Sequence, residues 1–225
     1  MCLARSFVPA LPTPLIQVVR VSDPFIYLAS QSPRRRELLH QIGVAHRVVS
    51  VDVAETPAPH ESALVYVQRL AREKSAAGWA AVAAAGLPAA PVLGADTLGV
   101  LDGVILEKPR DRTHALAMLR QLSGRTHQVI TAVALRNRER VLERLSITEV
   151  RFRALSDAEI AAYWETGEPR DKAGSYAIQG LGAVFVESIQ GSYSSVVGLP
   201  IEATVALLRE LGVPWWQAPM QESPV

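Results

Sequence analysis

Three arginines, Arg34, Arg35 and Arg36, follow directly on Ser30, Ser32 and Pro33 in the run LASQSPRRRELL. Ser32 suits a helix N-cap and Pro33 a first helical position, which puts the arginines in the first turn. That turn carries the positive end of the helix dipole and four backbone N–H groups without partners, so cations there repel the dipole and one another. The pattern makes chemical sense if a strongly anionic ligand lies across the turn. Guanidinium forks grip phosphate oxygens bidentately, and hydroxyl and free N–H groups complete the pocket. The competing reading is a solvated basic turn, with one arginine free in water or paired with Glu37.

Further along, Asp96 interrupts the apolar run of PVLGADTLGVL. An unpaired charge there costs several kcal/mol, so Asp96 needs a cation, a metal or a hydrogen-bond network. Glu55 lies beyond a strand beside Thr56-Pro57, and Asp171 precedes Lys172 in PRDKAGSY. With phosphates nearby, a Mg²⁺ held by one or two of these carboxylates is the natural arrangement, and another carboxylate could orient or deprotonate an attacking water. Lys74 falls four residues after Leu70 on a helical pattern. It is either a lysine snorkelling from the end of an apolar stripe or an ammonium aimed into a site. Lys108, in EKPRD, ends a strand. Cations facing a few carboxylates suit a metal-bound polyphosphate. No G-x-x-x-x-G-K-[ST] occurs and no G-x-G-x-x-G follows a strand, so nucleotide chemistry here would run without a P-loop.

The elements that must position these groups alternate irregularly. PFIYLAS reads as a buried strand, followed by a helix from Pro33 with Leu38, Leu39 and Ile42 inward and Gly43 at its end. HRVVSVDV reads as a second strand. A helix over 61–78 carries Leu64, Val67, Leu70 and Ala71 on one face. Asp102-Gly103 joins two β-rich runs as a hairpin. A helix capped by Asp111 or Thr113 runs to Gly124, and HQVITAVAL and RLSITEVRFRAL form two longer strands around RNRER. Ser156 and Glu159 stand at capping-box spacing. GLGAVF falls in a strand-like run, and a last helix spans 200–211. Helices among hairpins predict an α/β fold with a mixed sheet.

The 225 residues fit one domain or two tightly joined halves. A net charge of +1, from 23 basic and 22 acidic residues, excludes a polyanion-binding surface and so argues against nucleic acid polymers. Cys2 is the only cysteine and the five histidines lack metal-ligand spacing, which leaves no disulfide and no zinc-type site and fits a reducing, cytoplasmic setting. The most apolar stretch is cut by Gly86, Pro88 and Pro91, so no membrane span is expected. Residues 1–24, with Pro9, Pro12 and Pro14, read as a disordered leader or a start placed too early. The domain is expected over 25–213, with a tail over 214–225.

LASQSPRRRELL, ETP after a strand, LAREKSAAG, LGADT, EKPRD, SGRTHQVITAVAL and DKAGSYAIQGLGAVFVESIQGSYSSVVGLP fall in order over roughly residues 25–211. On these motifs the chain resembles the Maf family of nucleoside triphosphate pyrophosphatases. The resemblance implies an elongated mixed sheet with flanking helices, two lobes around a cleft as in inosine triphosphate pyrophosphatases, and a homodimer. It implies cleavage between the α- and β-phosphates of a nucleoside triphosphate with a divalent metal, Mg²⁺ or Mn²⁺. Ser30, Arg34 and Arg35 would hold phosphates, and Lys74 and Lys108 would neutralise the leaving pyrophosphate. Asp96 would activate water, with Glu55 as its metal or water partner. Arg34, Thr97 and Gln179 resemble the branch that prefers dTTP and UTP. The branch that prefers 7-methyl-GTP typically shows tryptophan, glutamine and glutamate at those positions. The family is also associated with inhibition of septum formation, which leaves a non-catalytic nucleotide-binding regulator as a rival reading.

Overall fold

The structure, a computed structural model, describes residues 24–217. The expected leader and most of the expected tail therefore lie outside the described residues. Seven strands form one mixed sheet in the order β2 (His46–Val48), β1 (Ile26–Leu28), β3 (Val92–Leu101), β5 (Thr126–Arg136), β6 (Val141–Phe152) and β7 (Val186–Gln190), with β4 (Val104–Leu106) paired to β3. β1 is parallel to both β2 and β3, and every other pairing is antiparallel. The α/β class and the mixed sheet are as expected.

Parallel pairs need crossovers, and helices supply both. α1 (Pro33–Gln41) connects β1 to β2, and α2 (Ala63–Ala84) connects β2 to β3. Leu38 and Leu39 of α1 bury against one side of the sheet with Leu93 and Ala95. Tyr66, Val67, Leu70 and Ala71 of α2 bury against Leu98, Val100, Ile130, Ala132 and Ala134, which belong to a separate core cluster. The chain thus leaves β1 toward one face and returns to β3 across the other. A crevice opens at the carboxyl end of parallel strands where connections diverge in this way. Ser30 and the N-terminus of α1 stand there.

α3 (Arg112–Leu122) is capped by Asp111, whose side chain accepts from the His114 N–H, and buries Ala115, Leu116, Leu119 and Leu122 as the pattern predicts. α4 (Asp157–Glu165) has the expected capping box, with Ser156 and Glu159 bonded reciprocally. The β3–β4 hairpin turns at Asp102, which takes a left-handed φ of 51°. α5 (Tyr193–Val197) was not apparent from the pattern, and α6 (Ile201–Glu210) closes the domain.

Four expectations need correcting. α2 starts at Ala63 and runs on to Ala84, because the alanines after Gly78 continue the helix. Leu64 is exposed, and Tyr66 fills the face it was assigned. In HRVVSVDV only the first three residues pair as strand, since β2 is a short sheet edge. GLGAVF lies in a 3₁₀ turn, Leu181–Phe185, and the strand begins after it.

One close approach governs how α2 sits. Gly94 of β3 faces the helix, and a Cβ there would meet the Ala71 carbonyl and lie 2.5 Å from the Ser75 nitrogen. Both are backbone atoms of α2 and cannot turn aside. Gly94→Ala should therefore push α2 from the sheet and cost about 1–3 kcal/mol, the range for overpacking. Thermal or urea unfolding measures this, and an unchanged midpoint would contradict the packing described.

Candidate active site

The crevice opens into a cavity of about 550 Å³ that reaches from the N-terminus of α1, past β3, to the segment 171–179. Ser30, Arg34, Arg35, Glu55, Lys74, Asp96, Thr97, Lys108 and Gln179 all line it. The structure thus brings every sequence-predicted site residue to one space. Lys172, His127 and Tyr176 join them. Five cationic and three carboxylate side chains line the walls, leaving a local excess of positive charge suited to a small polyphosphate.

At the centre stands Lys74. Its Nζ donates to Asp96 Oδ1 at 2.7 Å and to Glu55 Oε1 at 2.6 Å. Of its two readings, the one aimed into a site holds: Lys74 is on the buried face of α2 and its head meets the two carboxylates. Asp96 and Lys74 are each only 9% exposed. The ammonium is the counter-charge that the buried carboxylate requires. Glu55 comes from the irregular stretch after β2 and is half exposed. Partial burial pulls its carboxyl upward, but the hydrogen bond and charge of Lys74, with Lys108 and Arg35 beyond, outweigh that and hold it below the ordinary glutamate range.

Each carboxylate keeps one oxygen without a protein partner among the described residues. Those two oxygens fit a Mg²⁺ or Mn²⁺ that arrives with phosphates, since such ions take one or two carboxylates plus substrate oxygens and water. No group of three His, Cys, Asp or Glu side chains suited to a metal occurs among the described residues. An all-protein cage is therefore absent there.

At the α1 end the arginines divide. Arg36 is exposed and outside the cavity. Arg34 lines the cavity and makes no hydrogen bond or ion pair among the described residues, so its guanidinium is free for a ligand. Arg35 is already held. Its Nε donates to the Gly198 carbonyl at 2.8 Å, Nη1 to Ser30 Oγ at 3.0 Å and Nη2 to Thr97 Oγ1 at 3.3 Å. Burial pulls its pKa down, with Asp96 and Glu55 opposing. Two N–H groups remain for an anion. Ser32 occupies the N-cap position of α1 without a side-chain cap bond, which leaves first-turn N–H groups open.

Thr97 has less freedom than the sequence suggests. Thr131 Oγ1 donates to the Ser195 carbonyl at 2.8 Å and lies 2.9 Å from Thr97 Oγ1. With the Thr131 proton committed, Thr97 must donate to Thr131 while accepting from Arg35. Its hydroxyl braces Arg35 and ties it to α5. At the far end Gln179 is exposed, with no protein partner for its amide among the described residues. Lys108 is likewise unpaired there, whereas Lys172 pairs with Asp171. Lys172 has no sequence signal beyond its place beside Asp171 in PRDKAGSY. His127 has no companion at ligand spacing to mark it. It is buried on β5 with Nε2 2.8 Å from Tyr176 Oη.

A family model described as Maf-like protein matches residues 25–211. The chain is 57% identical over 192 residues to a dTTP/UTP pyrophosphatase of Saccharophagus degradans, covering 85% of this chain and 91% of that protein. It is 52% identical over 191 residues to a dTTP/UTP pyrophosphatase of Chromobacterium violaceum, covering 85% and 96%. A third relative of that description, from Escherichia coli O157:H7, is 55% identical over 183 residues, covering 81% and 91%.

Burial pushes the His127 imidazole down to about 4 from an ordinary 6.5. An unfolded chain binds that proton near 6.5, so the stability carried by the neutral ring is fully present above 6.5. Stability should fall by up to about 1.4 kcal/mol per pH unit as the pH drops through that window. His127→Gln should flatten this part of the profile in urea unfolding. An unchanged slope would contradict a buried neutral ring.

Proposed function

The chain belongs to the Maf-like protein family, and from that premise we propose that it hydrolyses nucleoside triphosphates, dTTP and UTP foremost, to the monophosphate and pyrophosphate. The observation that carries this reading is the Glu55–Lys74–Asp96 triad, set in the same cavity as a free arginine and an open helix N-terminus. The names of the curated relatives support the same reaction. A binder alone has little use for a water activator buried with its counter-ion.

In this reading Ser30, Arg34 and the open N–H groups of α1 bind phosphate oxygens, and Arg35 spends its two remaining N–H groups there. Lys108 neutralises the leaving end. Asp96 takes a proton from water as the water oxygen bonds to the α-phosphorus. The bond from that phosphorus to the bridging oxygen breaks, and pyrophosphate leaves with the electron pair. Lys74 holds Asp96 in place and offsets its negative charge. Glu55 and Asp96 would also hold the divalent metal, which supplies charge neutralisation at the phosphate oxygens.

Base choice rests on Gln179. Its amide can both donate and accept, which matches the O4/N3 edge of uracil or thymine. Arg34 and Thr97 stand with it on the pyrimidine side of the family pattern. Modified pyrimidine triphosphates and a homodimer fall within the same reading on the resemblance alone, and a cytoplasmic setting on the single cysteine.

Pyrophosphate release should be fastest from UTP and dTTP, well behind from 7-methyl-GTP, and lost when the metal is chelated. Asp96→Asn should lower kcat by roughly 10²–10⁴-fold, the usual contribution of a general base, while UTP still binds. Unchanged turnover in that variant would remove Asp96 from its assigned role. Silence toward every triphosphate would favour a binding protein.

A further inference from the structure

Gln179 sits at the tip of a short turn, and nothing in its own segment explains why that turn stays where it is. Residues 176–180 belong to no helix or strand. The turn closes locally through one bond, Gly180 N–H to the Ala177 carbonyl at 3.2 Å. Three further backbone amides, one within the turn and two just after it, end on two side chains outside the cavity. The Ala177 N–H donates to Tyr163 Oη at 3.2 Å on one flank of Gln179. On the other flank the Leu181 and Gly182 N–H groups donate to Glu168 Oε2 and Oε1, each at 2.9 Å. Tyr163 Oη then donates to Glu168 Oε1 at 2.6 Å, which joins the two anchors.

We propose that Tyr163 and Glu168 are positioning residues that fix Gln179 at the cavity and thereby set base discrimination; this rests on the reading of Gln179 given above. The contact leaves no slack. A Cβ on Gly180 would run into the Glu168 carboxylate, and one on Gly182 would lie 2.7 Å from Tyr163 Oη. The tyrosine ring itself is fixed edge-on to Phe185, with centroids 4.9 Å apart. Glu168 is also the first residue of the 3₁₀ turn Glu168–Asp171 that leads into Lys172. Burial works against the charge on Glu168, but the bonds from Tyr163, Gly182 and Leu181 outweigh it and hold the group ionised.

The test is a mutant cycle on the full chain, read as kcat/KM for UTP against GTP. Tyr163→Phe keeps the ring and removes both bonds at the hydroxyl. Glu168→Gln keeps the shape and leaves one amide without its acceptor. Each should lower the UTP preference about tenfold, the order of one net hydrogen bond. The loss should appear in KM for UTP, with kcat little changed. In a Gln179→Ala background Tyr163→Phe should have no further effect on the preference. A role confined to stability would instead lower the melting temperature and the rate with all triphosphates alike. An unchanged preference in Tyr163→Phe, an additive double variant, or a wild type with no base preference would each overturn the proposal. If the wild type releases no pyrophosphate, the hydrolytic reading fails by itself. The same cycle read as Kd for UTP and GTP then decides the positioning role by the same outcomes.

Discussion

A buried carboxylate must be answered by a cation, and in this protein that requirement organises the domain. Asp96 lies within the longest parallel-side strand, β3, where water is scarce. Lys74 answers it from the facing helix at 2.7 Å. A lysine stem reaches that far only if helix and strand approach closely, and a side chain at position 94 would prevent it. The apolar stripe of α2, the missing side chain at Gly94 and the placement of Asp96 two residues later are therefore one device. Glu55 completes it from an otherwise irregular stretch. Removing the ammonium would strand the Asp96 charge in a poor solvent, a far larger loss than the value of the ion pair itself.

The anion-binding end is built differently. There a single guanidinium joins three parts of the chain: Arg35 of α1 bonds Ser30 after β1, Thr97 on β3 and the Gly198 carbonyl after α5. The hydroxyl chain from Thr97 through Thr131 to Ser195 has one consistent direction of donation, which locks the rotors. Arg35 is thus a brace with residual capacity for a ligand, and its neighbour Arg34 is the free hand. A rigid frame carrying one uncommitted cation costs less on ligand binding than two mobile ones, because fewer rotamers are ordered at that moment.

Local rules carried much of the fold. Ser156–Glu159, Asp111 and Asp102 each solve a backbone problem within a few residues, and each could be read from neighbours alone. Asp96 was legible for a related reason, since a charge within an apolar strand must have a partner. What escaped depended on distant chain. HRVVSVDV has strand propensity throughout but meets a partner over three residues only. GLGAVF alternates like a strand, yet two of its amides are taken by Glu168, which no local pattern announces. Arg34 and Arg35 are identical in sequence terms, and it takes Ser30, Thr97 on β3 and the Gly198 carbonyl far along the chain to distinguish the brace from the free hand. Thr97, assigned to substrate by resemblance, turned out to have its hydroxyl held by protein.

The proposed attack of water, activated at Asp96, falls on the α-phosphorus of the nucleotide. Hydrolysis of UTP in ¹⁸O-labelled water, followed by mass spectrometry of both products, shows where it falls. The label should appear in the phosphate of UMP and be absent from pyrophosphate. Label in pyrophosphate, or orthophosphate as the first product, would mean that attack falls on another phosphorus and would contradict the placement of Asp96 against the α-phosphate.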